Sequence, residues 1–248
     1  MVGADGKHSG IAAAMGAKAY LAHPATTCVY YTFFQDFDAP HTRIFVREGQ
    51  FAVALPTNSG LTNLAIMWPA HEFARVRGNI EAAFNAAAAK IPWIAERITQ
   101  AKRVERFVGT ADNDAFFRTA CGPGWALLGD AGYHRDPITA QGMTDAFHHS
   151  EFLAEAITAG FSGAEPLESA LAGYQSRRDA AVMPMFEMTC DLARLAPPQP
   201  EMAALFEALV GNELATEKFL GVMAGTVGVA DFFAPANIGA IIGARKAA

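Results

Sequence analysis

The apolar run at residues 125–128 is the strongest feature of the hydrophobic pattern, and such a run is typical of a buried parallel strand. Gly129 and Asp130 end the run, and Pro137 supplies a fixed φ at the start of a helix predicted over 137–160. Small or apolar side chains then recur at intervals of three and four and predict one buried helix face: Met143, Ala146, Phe147, Ser150, Leu153, Ala154 and Ile157.

The first half of the chain carries β-branched and aromatic stretches that are separated by short, turn-forming segments. They predict strands over 26–37, 42–47, 51–56 and 61–69. Strands joined by turns this short pair with their neighbours in antiparallel fashion, so we expect an antiparallel sheet. An alanine-rich segment before them, 11–20, predicts a short helix.

Most of the remaining chain has a helical composition. We predict helices over 72–90, 92–99, 166–183 (continuing past a kink or break at Pro184 to about 195), 201–210, 212–226 and 231–243, and one further strand over 103–109. The proline-rich run 196–200 predicts a rigid connector between helices. We therefore expect an α/β protein in which α/β and α+β architecture are mixed.

The corner at Gly129 and Asp130 offers the first candidate chemistry. A carboxylate at the end of a buried strand can accept hydrogen bonds from ligand hydroxyls, and the free N–H groups of a helix N-terminus favour negative charge. This combination suits a polyhydroxylated, electron-accepting ligand. The alternative is an ordinary strand-to-helix corner that holds no ligand.

Two motifs favour the ligand. The first reads Val2-Gly3-Ala4-Asp5-Gly6 with a following Ser9, and the second reads Gly129-Asp130-Ala131 and then Pro137-Ile138-Thr139-Ala140-Gln141-Gly142. In this order they resemble the two downstream signatures of the single-component FAD-dependent monooxygenases, the aromatic hydroxylase-like flavoproteins. The second motif departs from that family's pattern at Ala140, where glycine is usual, at Thr144, where asparagine is usual, and at His149, where aspartate is usual.

The resemblance implies roles for seven residues. Asp130, beside Gly129, would accept a hydrogen bond from a ribityl hydroxyl of FAD, and Asp5 would lie near the ribose and pyrophosphate. Pro137 would pack beside the isoalloxazine or shape the loop. The last three would offer backbone N–H groups to the N1–C2=O edge of the flavin: Gln141, Gly142 and Met143.

The resemblance also implies an activity. In this family a nicotinamide nucleotide, NADH or NADPH, reduces FAD, the reduced flavin activates dioxygen, and one oxygen atom goes to a small, often aromatic, substrate. No acid–base side chain is required at that step, so we name no catalytic residue. Two alternatives stay open: a same-fold prenyl reductase or halogenase, and a non-catalytic fragment or binding module that has lost flavin.

The family's G-x-G-x-x-G motif for the ADP half of FAD should lie upstream of Asp5, and it is absent from the sequence. We therefore expect an N-terminally truncated chain that lacks the nucleotide-binding half. Residues 1–22 and 104–195 would be the remnant of a Rossmann-like FAD-binding domain, 23–103 the substrate-binding antiparallel sheet with its helices, and 196–248 a C-terminal helical segment. An exposed edge of the parallel sheet would then favour a homo-oligomer or a partner chain that supplies the missing half.

Charge, hydropathy and cysteine content restrict the kinds of partner and the cellular location that we expect. A net charge of −6 without a Lys/Arg cluster argues against nucleic-acid binding. The apolar runs fall short of the ~18 residues that a membrane helix needs. Three widely spaced cysteines, Cys28, Cys121 and Cys190, form no disulfide framework, so we expect a cytoplasmic protein.

Two polar groups are predicted to be ordinary surface features. Asp145 and His149 stand four residues apart on one predicted helix face, which we interpret as a solvated face and not as a metal site. The triplet 177–179, Arg-Arg-Asp, is predicted to be a salt-bridging surface patch.

Overall fold

The computed structural model describes residues 1–247. In chain order, the strands are β1 (Val2–Gly3), β2 (Ala19–His23), β3 (Thr27–Gln35), β4 (Arg43–Arg47), β5 (Gln50–Pro56), β6 (Leu61–Pro69), β7 (Lys102–Arg103), β8 (Val108–Thr110), β9 (Ala115–Arg118), β10 (Cys121–Gly122), β11 (Trp125–Leu127) and β12 (Tyr133–His134). The helices are α1 (Gly10–Ala14), α2 (Phe73–Gly78), α3 (Ile80–Ala89), α4 (Pro92–Ile98), α5 (Gly142–Phe161), α6 (Leu167–Leu192), α7 (Pro200–Leu209), α8 (Glu213–Met223), α9 (Val229–Phe232) and α10 (Pro235–Ala247). The predicted mixture of α/β and α+β architecture is confirmed, and so is the strand predicted over 125–128, which is β11.

The largest sheet has the strand order β4-β5-β6-β3-β7, with β8 also paired to β3, and every pairing in it is antiparallel. The antiparallel sheet predicted from the first half of the chain is therefore confirmed. Because side chains alternate along a strand, one face of β3 and β6 packs against α2–α4. The core on this face includes Tyr30, Phe34, Leu64, Ile66, Trp68, Phe84, Ile91 and Ile94.

The opposite face of the same sheet packs against a loop and a helix end. Phe51 on β5 and Met67 on β6 lie in one buried cluster with Ile138, together with Ala193 and Leu195. Ile138 belongs to a 3₁₀ turn, Pro137–Thr139, that follows β12. The sheet therefore lies directly over the loop that contains the second sequence motif.

The second motif begins in a separate small sheet. In this sheet β1 pairs with β11 in parallel, with Val2 opposite Ala126 and Gly3 opposite Leu127, and β10 pairs with β11 in antiparallel fashion. A further three-stranded sheet has the order β12-β9-β2, and its strand β12 follows the Gly129–Ala131 turn. Side chains of α5 and α6 cover β11 in a cluster of Ala120, Ala126, Leu153, Ala156, Leu171 and Tyr174.

Several predicted boundaries were wrong. The helix predicted over 11–20 ends at Ala14, because Gly16 has φ +65° and the chain then enters β2. The helix predicted over 72–90 is two helices, since Asn79 interrupts it and caps α3 by accepting from the Ala82 N–H at 3.1 Å. The strand predicted over 103–109 is divided between β7 and β8.

The helix predicted from Pro137 also begins later. Pro137 opens only the 3₁₀ turn, Ala140 then adopts a left-handed conformation with φ +55°, and α5 starts at Gly142. At Pro184, where a kink or break was predicted, α6 is not broken, because it runs as one helix from Leu167 to Leu192.

The chain divides into two compact units. The first comprises residues 1–182 and 188–196, and contains all the strands. The second comprises 183–187 and 197–248, and in it α7, α8 and α9 pack through the rings of Phe206, Phe219 and Phe232. The three domain ranges predicted from the sequence stay a prediction. Among the described residues, no helix is both long and apolar enough to cross a membrane.

Candidate functional site

The two sequence motifs meet at one edge of the parallel strand pair. Asp5 follows β1 and Asp130 follows β11, and these strands are direct parallel neighbours. Since the carboxyl ends of parallel strands lie at the same sheet edge, the fold brings both acidic loops to one place. Both Asp5 and Asp130 are exposed there.

The first loop is held by its own hydrogen bonds. Ser9 Oγ donates to Asp5 Oδ1 at 2.5 Å and accepts from the Ala12 N–H at 2.8 Å, so Ser9 is the N-cap of α1. The Ile11 N–H donates to Asp5 Oδ2 at 3.2 Å. The bond from Ser9 lowers the pKa of Asp5, which keeps this carboxylate ionised and oriented as an acceptor.

The second loop depends on a backbone conformation that favours glycine. Gly129 has φ +58°, and it starts a 3₁₀ turn, Gly129–Ala131, that turns Asp130 out to solvent. A Cβ atom at Gly129 would lie 3.5 Å from Ala146 Cβ, so this turn packs closely on α5.

Arg118 joins the two loops. Its Nη1 donates to the carbonyl oxygen of Lys7 at 3.0 Å and to that of Ala131 at 3.1 Å. The guanidinium also stacks over the ring of Phe116 at 4.1 Å. Partial burial lowers the pKa of Arg118, and the Asp5 carboxylate opposes that shift. Arg118 therefore fixes the spacing of the two loops, and it was not among the site residues predicted from the sequence.

A second arginine holds the backbone next to these loops by donating to its carbonyl oxygens. Arg178, on α6, is 1% exposed and donates to the carbonyl oxygens of Gly132 at 3.2 Å and Arg118 at 3.1 Å, and to the Tyr20 hydroxyl at 2.9 Å. It also pairs with Asp179 at 2.7 Å. The prediction that this triplet is a surface patch was wrong for Arg178, because distant carbonyl groups accept its N–H bonds.

The loop before α5 is tied to the large sheet by a buried aspartate. Asp136 accepts from Thr27 Oγ1 at 2.6 Å and from the Ile138 N–H at 3.0 Å. Burial raises the pKa of Asp136, while these two hydrogen bonds oppose the rise. Pro137, next in the chain, remains exposed.

The start of α5 presents its backbone to open space. The side chain of Gln141 makes no capping hydrogen bond, Gly142 is exposed, and Met143 is 79% exposed. A Cβ atom at Gly142 would meet no atom within 4 Å. The first N–H groups of a helix have no intrahelical acceptor, so this turn can donate to a planar acceptor edge. Together with the exposed carboxylates, these donors fit the ribityl–flavin half of FAD.

The predicted orientation of α5 was wrong in its first two turns. Met143 and Phe147, predicted to face the core, are 79% and 73% exposed. Asp145 and His149, predicted to be solvated, are buried instead. Arg135 pairs with Asp145, its Nη2 lying 2.8 Å from Asp145 Oδ2, and this partner was not identified from the sequence.

His149 occupies an apolar and cationic environment. Its ring lies 5.7 Å from that of Tyr133, and burial, with Arg178, His148 and Arg135, lowers the pKa of His149 to about 4. The imidazole is therefore neutral at physiological pH. Among the described residues, no group of three or more His, Cys, Asp or Glu side chains could hold a metal ion.

The large sheet presents a partly open apolar face beside this corner. On the side that carries Phe51 and Met67, the next row along the strands pairs Tyr31 with Ala65 and Ala65 with Val53. These three side chains are only half-buried. They continue the surface that begins at Ile138, and so they can contact an apolar molecule placed between the sheet and the loop.

Several solved structures are similar to this chain. PqsL, described as a probable FAD-dependent monooxygenase from Pseudomonas aeruginosa, is 24% identical with a TM-score of 0.58, and the match covers 77% of this chain and 52% of that chain. A variant of HpxO from Klebsiella pneumoniae in complex with FAD is 17% identical with a TM-score of 0.57, over 77% and 51% of the two chains. The flavin-dependent brominase Bmp2 is 15% identical with a TM-score of 0.73, over 99% and 62%.

These similarities establish the fold. The chain spans between about half and three-fifths of the length of those structures. No protein-family profile matches it, and no curated protein matches it. The chain shares its fold with FAD-dependent monooxygenases and flavin-dependent halogenases, and the resemblance predicted from the two motifs is confirmed at that level.

Proposed function

We propose that this chain is part of a FAD-dependent monooxygenase that hydroxylates a small, apolar or aromatic substrate with NADH or NADPH and dioxygen. The observation that carries the proposal is the convergence of the Asp5 and Asp130 loops at the ends of two parallel strands, linked by Arg118. A strand-to-helix corner with a purely structural role would not need two exposed carboxylates and an open helix N-terminus at the same edge.

Each group in the corner has a defined task in this proposal. Asp130 accepts a hydrogen bond from a ribityl hydroxyl, and Asp5 orients the ribose end. The backbone N–H groups of Gly142 and Met143 would donate to the pyrimidine edge of a bound flavin and would favour negative charge there. When bound, FAD supplies the activation of dioxygen and the oxygen transfer, while the protein orients the substrate and excludes water.

The substrate would lie against the half-buried face of the large sheet. Tyr31, Val53 and Ala65 form an apolar surface there, and it continues to Ile138 beside the flavin corner. This surface offers dispersion contacts and few hydrogen-bonding groups. It therefore favours a small apolar or aromatic molecule over a sugar or a nucleotide.

The first experiment is a visible absorbance spectrum of the purified 248-residue chain after incubation with FAD and desalting. We expect the chain to retain flavin absorbance, and Asp130→Asn to retain less because an amide is a weaker acceptor than a carboxylate. Glu151→Gln, which neutralises an exposed carboxylate on α5, is the matched control and should bind FAD like the wild type. A chain that is colourless after incubation with saturating FAD and desalting would favour the alternative of a binding module without flavin.

A halogenase is the second candidate. The brominase Bmp2 matches 99% of this chain, whereas PqsL and HpxO each match 77%. Because similarity at this level of identity concerns the fold, product analysis must decide. Mass spectrometry of reactions with an aromatic substrate panel, with and without bromide, would show a gain of one oxygen atom for a hydroxylase and a halogen isotope pattern for a halogenase.

We also propose that the active form is either a homo-oligomer or a complex with a partner chain that supplies the nucleotide-binding half. This proposal is supported by β1, which is an edge strand whose Val2 side chain is 44% exposed. A strand added to that edge would extend the parallel sheet.

The three cysteines are free thiols, in keeping with a proposed location in the reducing cytoplasm.

A further inference from the structure

We infer that the buried ion pair between Arg135 and Asp145 is a clasp that positions the flavin-facing loop and the first turn of α5. Arg135 lies just before this loop and Asp145 lies just after the start of the helix. Their pairing therefore closes the segment 136–144 at both ends. This inference rests on the proposed function only for the identity of the molecule that the segment faces.

The pair has the burial that a positioning role requires. The Arg135 and Asp145 side chains are 3% and 12% exposed, and the nitrogen and oxygen atoms are 2.8 Å apart. Among the residues that the structure describes, Arg135 Nε and Nη1 have no hydrogen-bond partner. An isolated arginine is costly to bury, so the Asp145 carboxylate is the group that holds this guanidinium in place.

The segment inside the clasp needs such a restraint. Ala140 has φ +55°, a left-handed conformation that a non-glycine residue rarely adopts unless its surroundings enforce it. Pro137, Ala140, Gly142 and Met143 are all exposed, so the outer side of the loop has little packing. The restraint comes from the inner side, through the ion pair, the Asp136 cap and a 2.9 Å bond between the Thr139 and Thr189 hydroxyls.

Stability alone does not account for this pair. Replacing a buried ion pair with apolar side chains of similar volume is often neutral or stabilising, whereas breaking one partner leaves an unpaired charge. The benefit of the pair is then geometric. It fixes where the N–H groups of Gly142 and Met143 point before any ligand arrives, which lowers the entropy cost of binding.

The test separates geometry from stability by removing both charges. In the double variant R135M/D145L, apolar side chains occupy the same interior positions. We expect it to melt near the wild-type temperature, to exchange the hydrogen-bonded backbone amides at positions 140 and 145 at least tenfold faster without flavin, and to bind FAD roughly tenfold more weakly. The control D191N/R194Q removes an exposed ion pair whose partners are 74% and 69% exposed, and it should change none of these three quantities.

Conservative variants make the test decisive if the double variant does not fold. Arg135→Lys keeps the charge, and we expect exchange rates between those of the wild type and of D145N. Unchanged amide exchange at positions 140 and 145 in a folded R135M/D145L or D145N protein would overturn the inference. Because exchange is measured without flavin, a wild-type chain that binds no FAD would refute the proposed function but leave the clasp to be judged by exchange alone.

Discussion

Gly3 and Leu127 face each other across the parallel pair of β1 and β11, and there is no room for a side chain between them. A Cβ atom at Gly3 would lie 2.9 Å from Leu127 Cδ2 and 2.9 Å from Ile11 Cγ2. This contact brings β1 against β11, and the Asp5 and Asp130 loops follow directly from these strands. The glycine of the first motif therefore sets how close the two acidic loops can come.

We predict that Gly3→Ala destabilises the protein by about 1–3 kcal/mol, because the added methyl group overpacks a closed interior. Thermal or urea unfolding measures the change. Gly173→Ala is the matched control, since a Cβ atom there meets nothing within 4 Å in the middle of α6. The control should be about 0.5–1 kcal/mol more stable than the wild type. Equal melting of G3A and wild type would show that β1 is not packed as described.

A second prediction concerns Arg178. Arg178→Leu would remove the guanidinium that donates to the carbonyl oxygens of Gly132 and Arg118 and that pairs with Asp179. We expect a loss of roughly 2–4 kcal/mol in the free energy of unfolding. Arg177→Leu removes the neighbouring cation, which is 53% exposed, and should change stability by less than about 1 kcal/mol. Similar losses in the two variants would contradict the supporting role of Arg178.

Local patterns predicted the large sheet well and the polar interior poorly. The alternation of buried and exposed side chains along β3, β5 and β6 is a local pattern within each strand. Short turns and β-branched residues were therefore enough to predict that these strands pair. The turn at Gly129 and Asp130 was also predicted, because a strand end and a glycine turn are local features. Arg178 was misplaced because its burial depends on the carbonyl groups of residues 118 and 132, far away in the sequence.

Helix α5 shows why periodicity can mislead. Met143 and Phe147 share one face with Leu153 only approximately, and a face with Asp145, His149, Leu153 and Ala156 has nearly the same period. Hydrophobicity favours burial of the first face. The second face is buried instead, because Asp145 on that face pairs with Arg135. No pattern within the helix indicates that partner, since it comes from the preceding loop.

The burial of His149 predicts a pH dependence. Its pKa is lowered to about 4 in the folded protein by desolvation and by Arg178, His148 and Arg135, against about 6.5 when unfolded. Between these values the unfolded chain binds more protons, so stability is full above pH 6.5 and falls as the pH drops toward 4, by up to about 3 kcal/mol.

Asp136 and Asp145 act in the opposite direction. Burial raises the pKa of each carboxyl group, so each contributes stability that decreases as pH rises above its unfolded value. The comparison with His149→Phe removes this background. Urea unfolding of the wild type and H149F from pH 4 to 7 should show the smaller dependence in H149F, while His41→Phe, at an exposed position that does not affect the pKa of His149, should keep the wild-type dependence. Parallel curves for wild type and H149F would exclude the prediction.

The edge of the small parallel sheet leads to the last prediction. Within residues 1–247, strand β1 is paired only on the β11 side, and Val2 is 44% exposed. An unpaired edge with an apolar side chain favours association with another strand. We expect the isolated chain to elute as an oligomer or to aggregate, and Val2→Lys to shift it toward the monomer because a charged edge resists pairing. Val104→Lys, at a position 39% exposed in a loop, should leave the elution unchanged. A wild-type chain that elutes as a monomer and melts in one sharp transition would mean that β1 needs no partner strand.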